Sequence, residues 1–280
     1  MKEILSADLY RLGKQKSTWI LPLATFVIAF LFGMLYGAIF GNASFLNDFH
    51  DMMKQGVSSV GGTTGAGQGG DVAFMFSAEF NSLADYVATV FEHESFIAIV
   101  IFVSVYASAV KRNGFVKNIG RRYNSFQYNA SQAIIILGYS VLITFVNLLA
   151  TVSSALIFFE GIEPGNFWSL LSYFLIVALL HYAASLMIVI LCDFFKNNNA
   201  GIIIGCILGA LSKTLCDLLN ALIKLIADTG FTINHLFPFA YATSMRYGVT
   251  SSYLYGLALA AIYTVLFFLM KIPLKKKDVV

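Results

Sequence analysis

A series of apolar runs, each near the length needed to cross a lipid bilayer, most constrains the fold. The first run, residues 18–40, carries no charged side chain, and about 20 apolar residues in a helix span the hydrocarbon core. Only 12% of the chain is charged and its mean hydropathy is +0.77, so a soluble domain is excluded. Further runs complete the series, at residues 95–110, 134–159, 167–191, from 200 onward, and 252–270. The sequence therefore predicts an all-α integral membrane protein with six transmembrane helices in one domain, residues 1–280.

The distribution of charge predicts how these helices are oriented. Fourteen of the eighteen Lys and Arg residues fall in alternate connecting segments and at the two ends, which the positive-inside rule places in the cytoplasm. The loop at residues 41–94 instead carries seven acidic residues against a single cation, Lys54. We therefore expect both termini in the cytoplasm, an extracellular loop at 41–94, and residence in a cytoplasmic membrane. The first apolar run is too long for a signal-peptide core and is expected to be a retained anchor.

Two segments outside the apolar runs have recognisable patterns. Residues 1–17 repeat leucine at Leu5, Leu9 and Leu12 among basic residues, which is typical of a helix lying on the inner membrane surface. Residues 217–249 are expected to form an outer re-entrant or loop region, with a short helix before Pro238.

The most distinctive polar segment lies at residues 111–132, between the second and third spans. It carries five Lys and Arg residues and no acidic residue. Wound as a helix, it places Phe115, Ile119, Arg122 and Phe126 on one narrow stripe. Two interpretations stay open: an amphipathic cytoplasmic segment that docks a soluble partner, or a solvated loop whose cations only fix the topology.

The chain offers little that could support catalysis or metal binding. Residues 61–70 are glycine-rich, but no Lys-Ser or Lys-Thr pair follows as a nucleotide-binding P-loop requires, so this segment is interpreted as a flexible linker. The histidines and cysteines show no metal-ligand spacing, and no serine stands in a nucleophile elbow. We therefore expect neither an enzyme nor a metal site, and no nucleic-acid partner.

The fifth run contains a spacing that suggests helix contacts. Glycine recurs at every fourth residue, at Gly201, Gly205 and Gly209, and such a seam lets two helix backbones approach closely. The two helices could belong to one subunit or to two. Further along, Lys213 and Asp217 stand four residues apart and can meet on one helix face. This pair is interpreted either as part of a polar translocation path or as an ion pair near the outer interface.

His181 is a second polar residue inside the apolar runs, within the fourth run. A hydrogen-bonded packing role and a role on a translocation path both remain open for its imidazole, the former being favoured.

The order of these segments, together with the sequence NGFVKNIGRRYNSFQYNASQ at residues 113–132, resembles the membrane subunits of type-2 ABC exporters. The matching positions are Asn113, Gly114, Phe115, Lys117, Asn118, Ile119, Gly120, Arg121, Arg122 and Gln132. Many members of that family carry a glutamate just before the Asn-Gly pair, whereas this chain has Lys111-Arg112 there. Among bacterial members, the chain is most similar to permeases that export, or confer immunity to, amphipathic peptides such as lantibiotics, bacitracin and phenol-soluble modulins.

The resemblance implies a permease dimer, a homodimer being favoured over a heterodimer, embedded in membrane lipid and bound to two copies of a separate ABC ATPase. ATP and Mg²⁺ would bind to that ATPase and not to this chain, which lacks a Walker A sequence. The 111–132 segment would then be the coupling segment. Its apolar contacts with the ATPase would come from Phe115, Val116, Ile119 and Phe126, and its charged rim from Arg122.

Two other classes of function compete with this hypothesis. An ion-coupled secondary transporter or channel would use intramembrane charges such as Lys213 and Asp217, although the inverted repeat found in many such proteins is not evident here. A non-transporting scaffold or sensor would use the 41–94 loop as its domain.

Overall fold

A computed structural model describes residues 2–40, 82–90, 94–112, 125–158, 163–194, 203, 207, 214–224 and 232–274. All regular structure in these residues is helical, and no strand occurs among them. The helices are α1 (Lys2–Lys14), α2 (Lys16–Phe40), α3 (Leu83–Val90), α4 (Glu94–Arg112), α5 (Ser125–Phe158), α6 (Phe167–Phe194), a 3-10 turn (Ile233–His235), α7 (Pro238–Ser244) and α8 (Thr250–Leu274).

Within this described part of the chain, four helices are long and apolar enough to cross a membrane: α2, α5, α6 and α8. A shorter apolar segment, Phe96–Ala107, lies in α4, and residues 214–224 are also helical. The prediction of an all-helical membrane protein is therefore confirmed at this level. Of the six predicted spans, the second is described only as this shorter segment of α4, and the fifth only as a short helical piece at residues 214–224.

The chain divides into two compact units, and the larger one contains residues Met1–Thr25, His93–Val146 and Trp168–Val280. Its core is formed by α4, the first part of α5, α6 and α8. Aromatic side chains fill that core: the rings of Phe102 and Tyr139 stack with their centroids 3.5 Å apart, and Phe267 is fully buried. At Gly256 an added Cβ would lie 2.9 Å from Ile176 Cγ2, so α8 packs closely on α6 there.

A tight joint connects α1 to α2 at Gln15. The N–H of Gln15 donates to the Leu12 carbonyl, and the indole N–H of Trp19 donates back to the Gly13 carbonyl at 3.2 Å. The two helices are therefore separate elements linked by local hydrogen bonds.

The buried face of α1 differs from the leucine stripe in the sequence. Ile4, Asp8 and Leu12 are the buried residues, whereas Leu9 is 55% exposed. The face of α1 that is buried in the larger unit therefore contains a carboxylate, that of Asp8, which has polar partners there. The leucine pattern alone did not indicate which face of α1 is buried.

A short segment precedes the last span. α7 begins at Pro238, where proline suits the first helical position because the N–H it lacks would have no partner in the helix. Helical residues also precede this proline, at 214–224 and in the 3-10 turn Ile233–His235. The hydroxyls of Tyr255 and Tyr263 on α8 donate to the carbonyls of His235 and Leu236, which anchors the preceding 3-10 turn.

The smaller unit contains residues Phe26–Glu92 and Asn147–Phe167. α2 and α5 approach closely within it, since a Cβ added to Gly33 would lie 2.0 Å from Ser154 Oγ. The Tyr86 hydroxyl donates to the Gly33 carbonyl at 3.2 Å, so α3 also meets α2 at this glycine. We call Gly33, Tyr86 and Ser154 the small-residue contact.

Several helix bounds differ from the sequence-based expectations. α5 begins at Ser125, nine residues before the apolar run, because polar side chains in its first turns are buried. Within the predicted 41–94 loop the structure describes α3, where the Ser82 hydroxyl accepts the N–H of Asp85 and caps the helix.

Candidate functional site: a charged cluster at one end of the helices

A buried carboxylate on α1 begins the site. Asp8 has no exposed surface, and its Oδ1 lies 3.2 Å from the guanidinium Nη2 of Arg11. The Tyr106 hydroxyl on α4 donates to Asp8 Oδ2 at 3.3 Å, and the Arg11 guanidinium lies over the Tyr106 ring, 5.2 Å from its centroid. Hydrogen bonding and cation–π contact thus connect the N-terminal helix to the end of α4.

A second buried charge pair connects three further helices. The ammonium of Lys271, near the end of α8, contacts Asp193 Oδ2 at the end of α6. The same ammonium donates to Gln132 Oε1 on α5 at 3.2 Å and lies 5.5 Å from the centroid of the Phe267 ring. Lys271 is only 7% exposed, so the ammonium depends on these partners for the hydrogen bonds that water would supply.

Tyr128, on the second turn of α5, lies between the two pairs. The charges of Asp8, Arg11 and Asp193 all act on this buried phenol. We call the set of residues that includes both pairs and this phenol the charged cluster: Asp8, Arg11, Tyr106, Tyr128, Gln132, Asp193 and Lys271.

The charged cluster fixes the relative directions of the helices that it joins. Tyr106, Asp193 and Lys271 lie towards the C-terminal ends of α4, α6 and α8, whereas Tyr128 and Gln132 lie at the N-terminal end of α5. These ends therefore meet on one side of the larger unit, together with α1. Such an arrangement requires α5 to run antiparallel to α4, α6 and α8.

Burial changes the pKa of the fully buried carboxylate of Asp8 on α1. Desolvation raises the pKa of Asp8 above the ordinary value of 3.8. The positive charge of Arg11 and the hydrogen bond from Tyr106 act in the opposite direction but do not compensate. The carboxylate is thus held in a site that favours its charged form less than water does.

A stripe of buried polar residues extends from the cluster along α5. Asn129, Gln132, Ser140 and Thr144 fall on one face of that helix, and each is at most 3% exposed. The hydroxyls of Ser140 and Thr144, like that of Ser104 on α4, have no hydrogen-bond partner among the described residues. Polar groups at this depth belong to a protein interior or to a hydrated path and not to a lipid-facing surface.

The structure describes three of the residues that the sequence suggested as functional: Phe126, Asp217 and His181. Phe126 lies in the first turn of α5, 59% exposed, with its ring 5.5 Å from that of Phe268. Asp217 is exposed on the helical residues 214–224. The remaining coupling, seam and path residues lie outside the described residues: Phe115, Val116, Ile119, Arg122, Gly201, Gly205, Gly209 and Lys213.

His181 is fully buried and lies among aromatic rings. Its ring centroid is 5.3 Å from that of Phe96 and 6.2 Å from that of Phe239, and the latter two rings stack at 4.0 Å. These contacts join α4, α6 and α7.

Sequence reasoning missed the charged cluster, although signals for parts of it existed. Asp8 stands four residues from both Ile4 and Leu12, so it interrupts an apolar face of α1. Lys271 directly follows an apolar run and is interpreted in the sequence only as one of the basic residues that set the topology, whereas Asp193 lies just after another run. Their pairing needs the three-dimensional structure, because 78 residues separate them.

The chemistry available to the charged cluster is structural. Among the residues described, no three His, Cys, Asp or Glu side chains come close enough to hold a metal ion. Every charge in the cluster has an opposite charge beside it, which is an arrangement that holds helices together.

No protein-family model matches the chain, and no curated protein matches it. What the protein does must therefore be inferred from its own residues and their geometry.

Proposed function

We propose that the chain is the transmembrane subunit of an ATP-driven ABC exporter of the type-2 class. It would dimerise, couple to a separate ATPase, and move amphipathic peptides or other hydrophobic substrates out of the cell or membrane. Both termini and the charged cluster would face the cytoplasm of a bacterium. Two ATPase subunits would bind ATP and Mg²⁺ and would carry out the hydrolysis.

The observation that supports this proposal is that the two helices flanking the basic segment in the sequence, α4 and α5, both contribute to the charged cluster. Residues 113–124 connect α4 to α5, and both of those helices enter the cluster within a few turns of that connection. Tyr106 links α4 to α1, and Gln132 links α5 to Lys271 on α8 and through it to α6. A force applied to the connection would therefore reach five helices: α1, α4, α5, α6 and α8.

Such a linkage suits a protein that converts movement of a soluble partner into movement of its spans. Closure of the ATPase dimer would push on the coupling segment, where Phe115, Val116, Ile119 and Phe126 would supply the apolar contacts and Arg122 the charged rim. The exposure of Phe126 in the first turn of α5 is compatible with this role. The spans would then shift as a rigid group, because buried charge pairs resist separation.

The second subunit in the complex would be another copy of the same chain. The seam formed by Gly201, Gly205 and Gly209 would bring two copies of the fifth span into close backbone contact.

The experiment that tests this proposal is co-purification with the ATPase encoded beside the gene, followed by ATP hydrolysis in liposomes with and without a cationic amphipathic peptide. We expect a stable complex whose hydrolysis rate changes with the peptide. The double variant Phe115→Asp, Ile119→Asp should keep the fold and lose the complex. Phe167→Asp, an exposed phenylalanine at the start of α6, is the matched control and should retain the complex.

Ion-coupled transport is the second candidate, and the observation that favours it is the buried polar stripe on α5. Hydroxyls enclosed within a membrane helix bundle are typical of hydrated ion paths, to which Lys213, Asp217 and His181 would add charge and a titrating group. Solute uptake driven by an ion gradient, in protein that binds no ATPase, would establish this function instead.

A further inference from the structure

The 3-10 turn that precedes α7 lies deep along the last span. The Tyr255 hydroxyl donates to the His235 carbonyl at 2.8 Å. The Tyr263 hydroxyl donates to the Leu236 carbonyl at 2.9 Å. Tyr263 is 13 residues into α8, which corresponds to about 20 Å along the helix at 1.5 Å per residue. The turn therefore lies several helical turns away from the start of α8.

A contact with α6 places the same segment at the same depth independently. The ring of Phe239, in the first turn of α7, lies 6.2 Å from that of His181. His181 is 14 residues into the 28-residue helix α6, and is thus half-way along a helix apolar enough to cross a membrane. Phe239 is 8% exposed and stacks on Phe96, so α7 is held within the larger unit at this level.

From this depth the chain returns to the start of α8. The Tyr241 hydroxyl donates to the Ser252 carbonyl at 2.9 Å, and Ser252 is two residues into α8. α7 therefore leads from the middle of the membrane-spanning region to the start of the last span. The charged cluster lies at the other end of α8, at Lys271.

Polar side chains and charges surround the turn. The side-chain amide of Asn220, in the helical piece before the turn, donates to Asn234 Oδ1 at 2.8 Å. The Asn220 oxygen accepts the N–H of Ile233 at 2.7 Å. Asp217 and Lys224 stand three and four residues from Asn220, so they lie on the side of this helix that meets the turn, and both are exposed.

Lipid is a poor cover for this part of the molecule. Non-helical backbone at membrane depth is tolerated where it is buried in protein or lines a water-filled cavity, and ionisable side chains there face protein or water. His235 in the turn is exposed, as are Asp217 and Lys224 beside it. Something other than hydrocarbon therefore covers these three side chains.

Water meets the requirement better than a second protein surface. A protein partner would bury a carboxylate and an ammonium, and ions buried without counter-charges are costly. Asp217 and Lys224 stand two helical turns apart, about 10 Å along the axis, so each needs its own solvation. Water supplies that solvation to both charges at once.

We propose that a water-filled vestibule enters the larger unit from the side opposite the charged cluster and ends at the 3-10 turn, near the middle of the membrane. Its polar lining consists of Asp217, Asn220, Lys224, Thr232, Asn234 and His235. Hydrophilic solutes reach this depth through the vestibule without crossing lipid. No ATPase is needed for this, so the vestibule does not rest on the proposed function.

The test measures how fast a charged thiol reagent reaches a cysteine placed in the vestibule. Full-length protein in lipid nanodiscs is treated with trimethylammonium-ethyl methanethiosulfonate. Peptide mass spectrometry locates the label, so the native cysteines stay in place. We expect His235→Cys to react within about tenfold of Arg246→Cys, an exposed position after α7, because water admits the reagent and lets the thiolate form.

Ile262→Cys is the matched control. Ile262 adjoins Tyr263 in α8, and therefore lies at the depth of the turn, but it is 55% exposed on the apolar surface of that helix. Its thiol should react about a hundredfold more slowly than that of His235→Cys, because hydrocarbon excludes both the cationic reagent and the thiolate. Asn234→Cys is the second vestibule position if His235→Cys fails to fold, and it should react equally fast.

Three results would overturn the proposal. Slow labelling of both vestibule positions in nanodiscs, with fast labelling in detergent, would assign this surface to lipid. Slow labelling in both media, with cross-linking of two chains through His235→Cys, would assign it to a second copy of the chain. Equally fast labelling of Ile262→Cys would mean that α8 does not contact hydrocarbon at this depth. A failure to bind an ATPase would leave all of these rates unchanged.

Discussion

The charged cluster and the small-residue contact hold helices together by opposite means. In the charged cluster, long side chains reach between helices and neutralise one another, as Lys271 does with Asp193 and Gln132. In the small-residue contact, the near absence of side chains lets α2 approach α5 at Gly33 and Ser154. The stability of the charged cluster depends on every charge keeping its partner. The stability of the small-residue contact depends on the absence of any further side-chain atom at Gly33.

This difference predicts distinct responses to substitution. Removing one member of a buried charge pair leaves the other charge without compensation, whereas removing both members costs little. Adding a methyl group to a close backbone contact forces the helices apart, and the remedy is to remove volume opposite it. The following experiments separate the two responses, beginning with the largest expected effect.

Removing the ammonium of Lys271 should be the most damaging change. Lys271→Met removes the ammonium beside the partly buried Asp193, and we expect the free energy of unfolding to fall by about 3 kcal/mol. Adding Asp193→Asn should restore most of that loss, because the remaining charge is removed. Thermal unfolding of both variants in detergent measures the difference, and a double variant no more stable than Lys271→Met would contradict this account.

The small-residue contact should respond to a single methyl group. Gly33→Ala places a Cβ against Ser154, and we expect a destabilisation of about 2 kcal/mol from overpacking. Combining it with Ser154→Gly should recover part of the loss. Gly138→Ala is the control, since the same change meets open space there and should be neutral in thermal unfolding. Similar losses at the two glycines would mean that the close approach at Gly33 is unimportant.

Hydrogen bonds within the charged cluster should contribute less than its ion pairs. Tyr106→Phe removes the donor to Asp8 and should lower the free energy of unfolding by about 1 kcal/mol. Tyr139→Phe is the comparison, because the Tyr139 hydroxyl is buried and has no hydrogen-bond partner among the described residues. That variant should unfold at the native temperature or slightly above it.

The smallest effect should be a dependence of stability on pH. Because burial raises the pKa of Asp8, the folded protein binds this proton more tightly than the unfolded chain does. This contribution is full below about pH 3.8 and is lost as the pH rises through the higher pKa of the folded state. Asp8→Asn should remove the dependence in unfolding measured from pH 3.5 to 8. Glu3→Gln, exposed on the same helix, should leave it in place.

The apolar runs were sufficient to predict the four helices that are long and apolar enough to cross a membrane, because hydrophobic length is a local property of the sequence. The start of α5 was predicted less well. Its first turns contain Asn129 and Gln132, which look like loop residues in the sequence and are buried in the structure. Their burial depends on partners elsewhere in the chain, such as Lys271, which local hydrophobicity cannot detect.

The candidate site was harder to predict than the fold, for the same physical reason. Asp8, Tyr106 and Lys271 are each unremarkable within their own segments, and their role arises from contacts across 98 or more residues of sequence. Prediction from sequence meets the same limit at Gly33 and Gly138, which are both single glycines in apolar helices. Only the structure shows that a side chain at Gly33 would meet Ser154, whereas one at Gly138 would meet open space.

The tyrosines of α8 have a consequence for the order in which the chain assembles during synthesis. The carbonyls of His235 and Leu236 receive their hydrogen bonds from Tyr255 and Tyr263, which the ribosome adds about 20 residues later. The 3-10 turn therefore cannot complete its bonding until the last span has entered the membrane. A chain halted at Val249 would lack both tyrosines and would leave those two carbonyls without these hydrogen bonds.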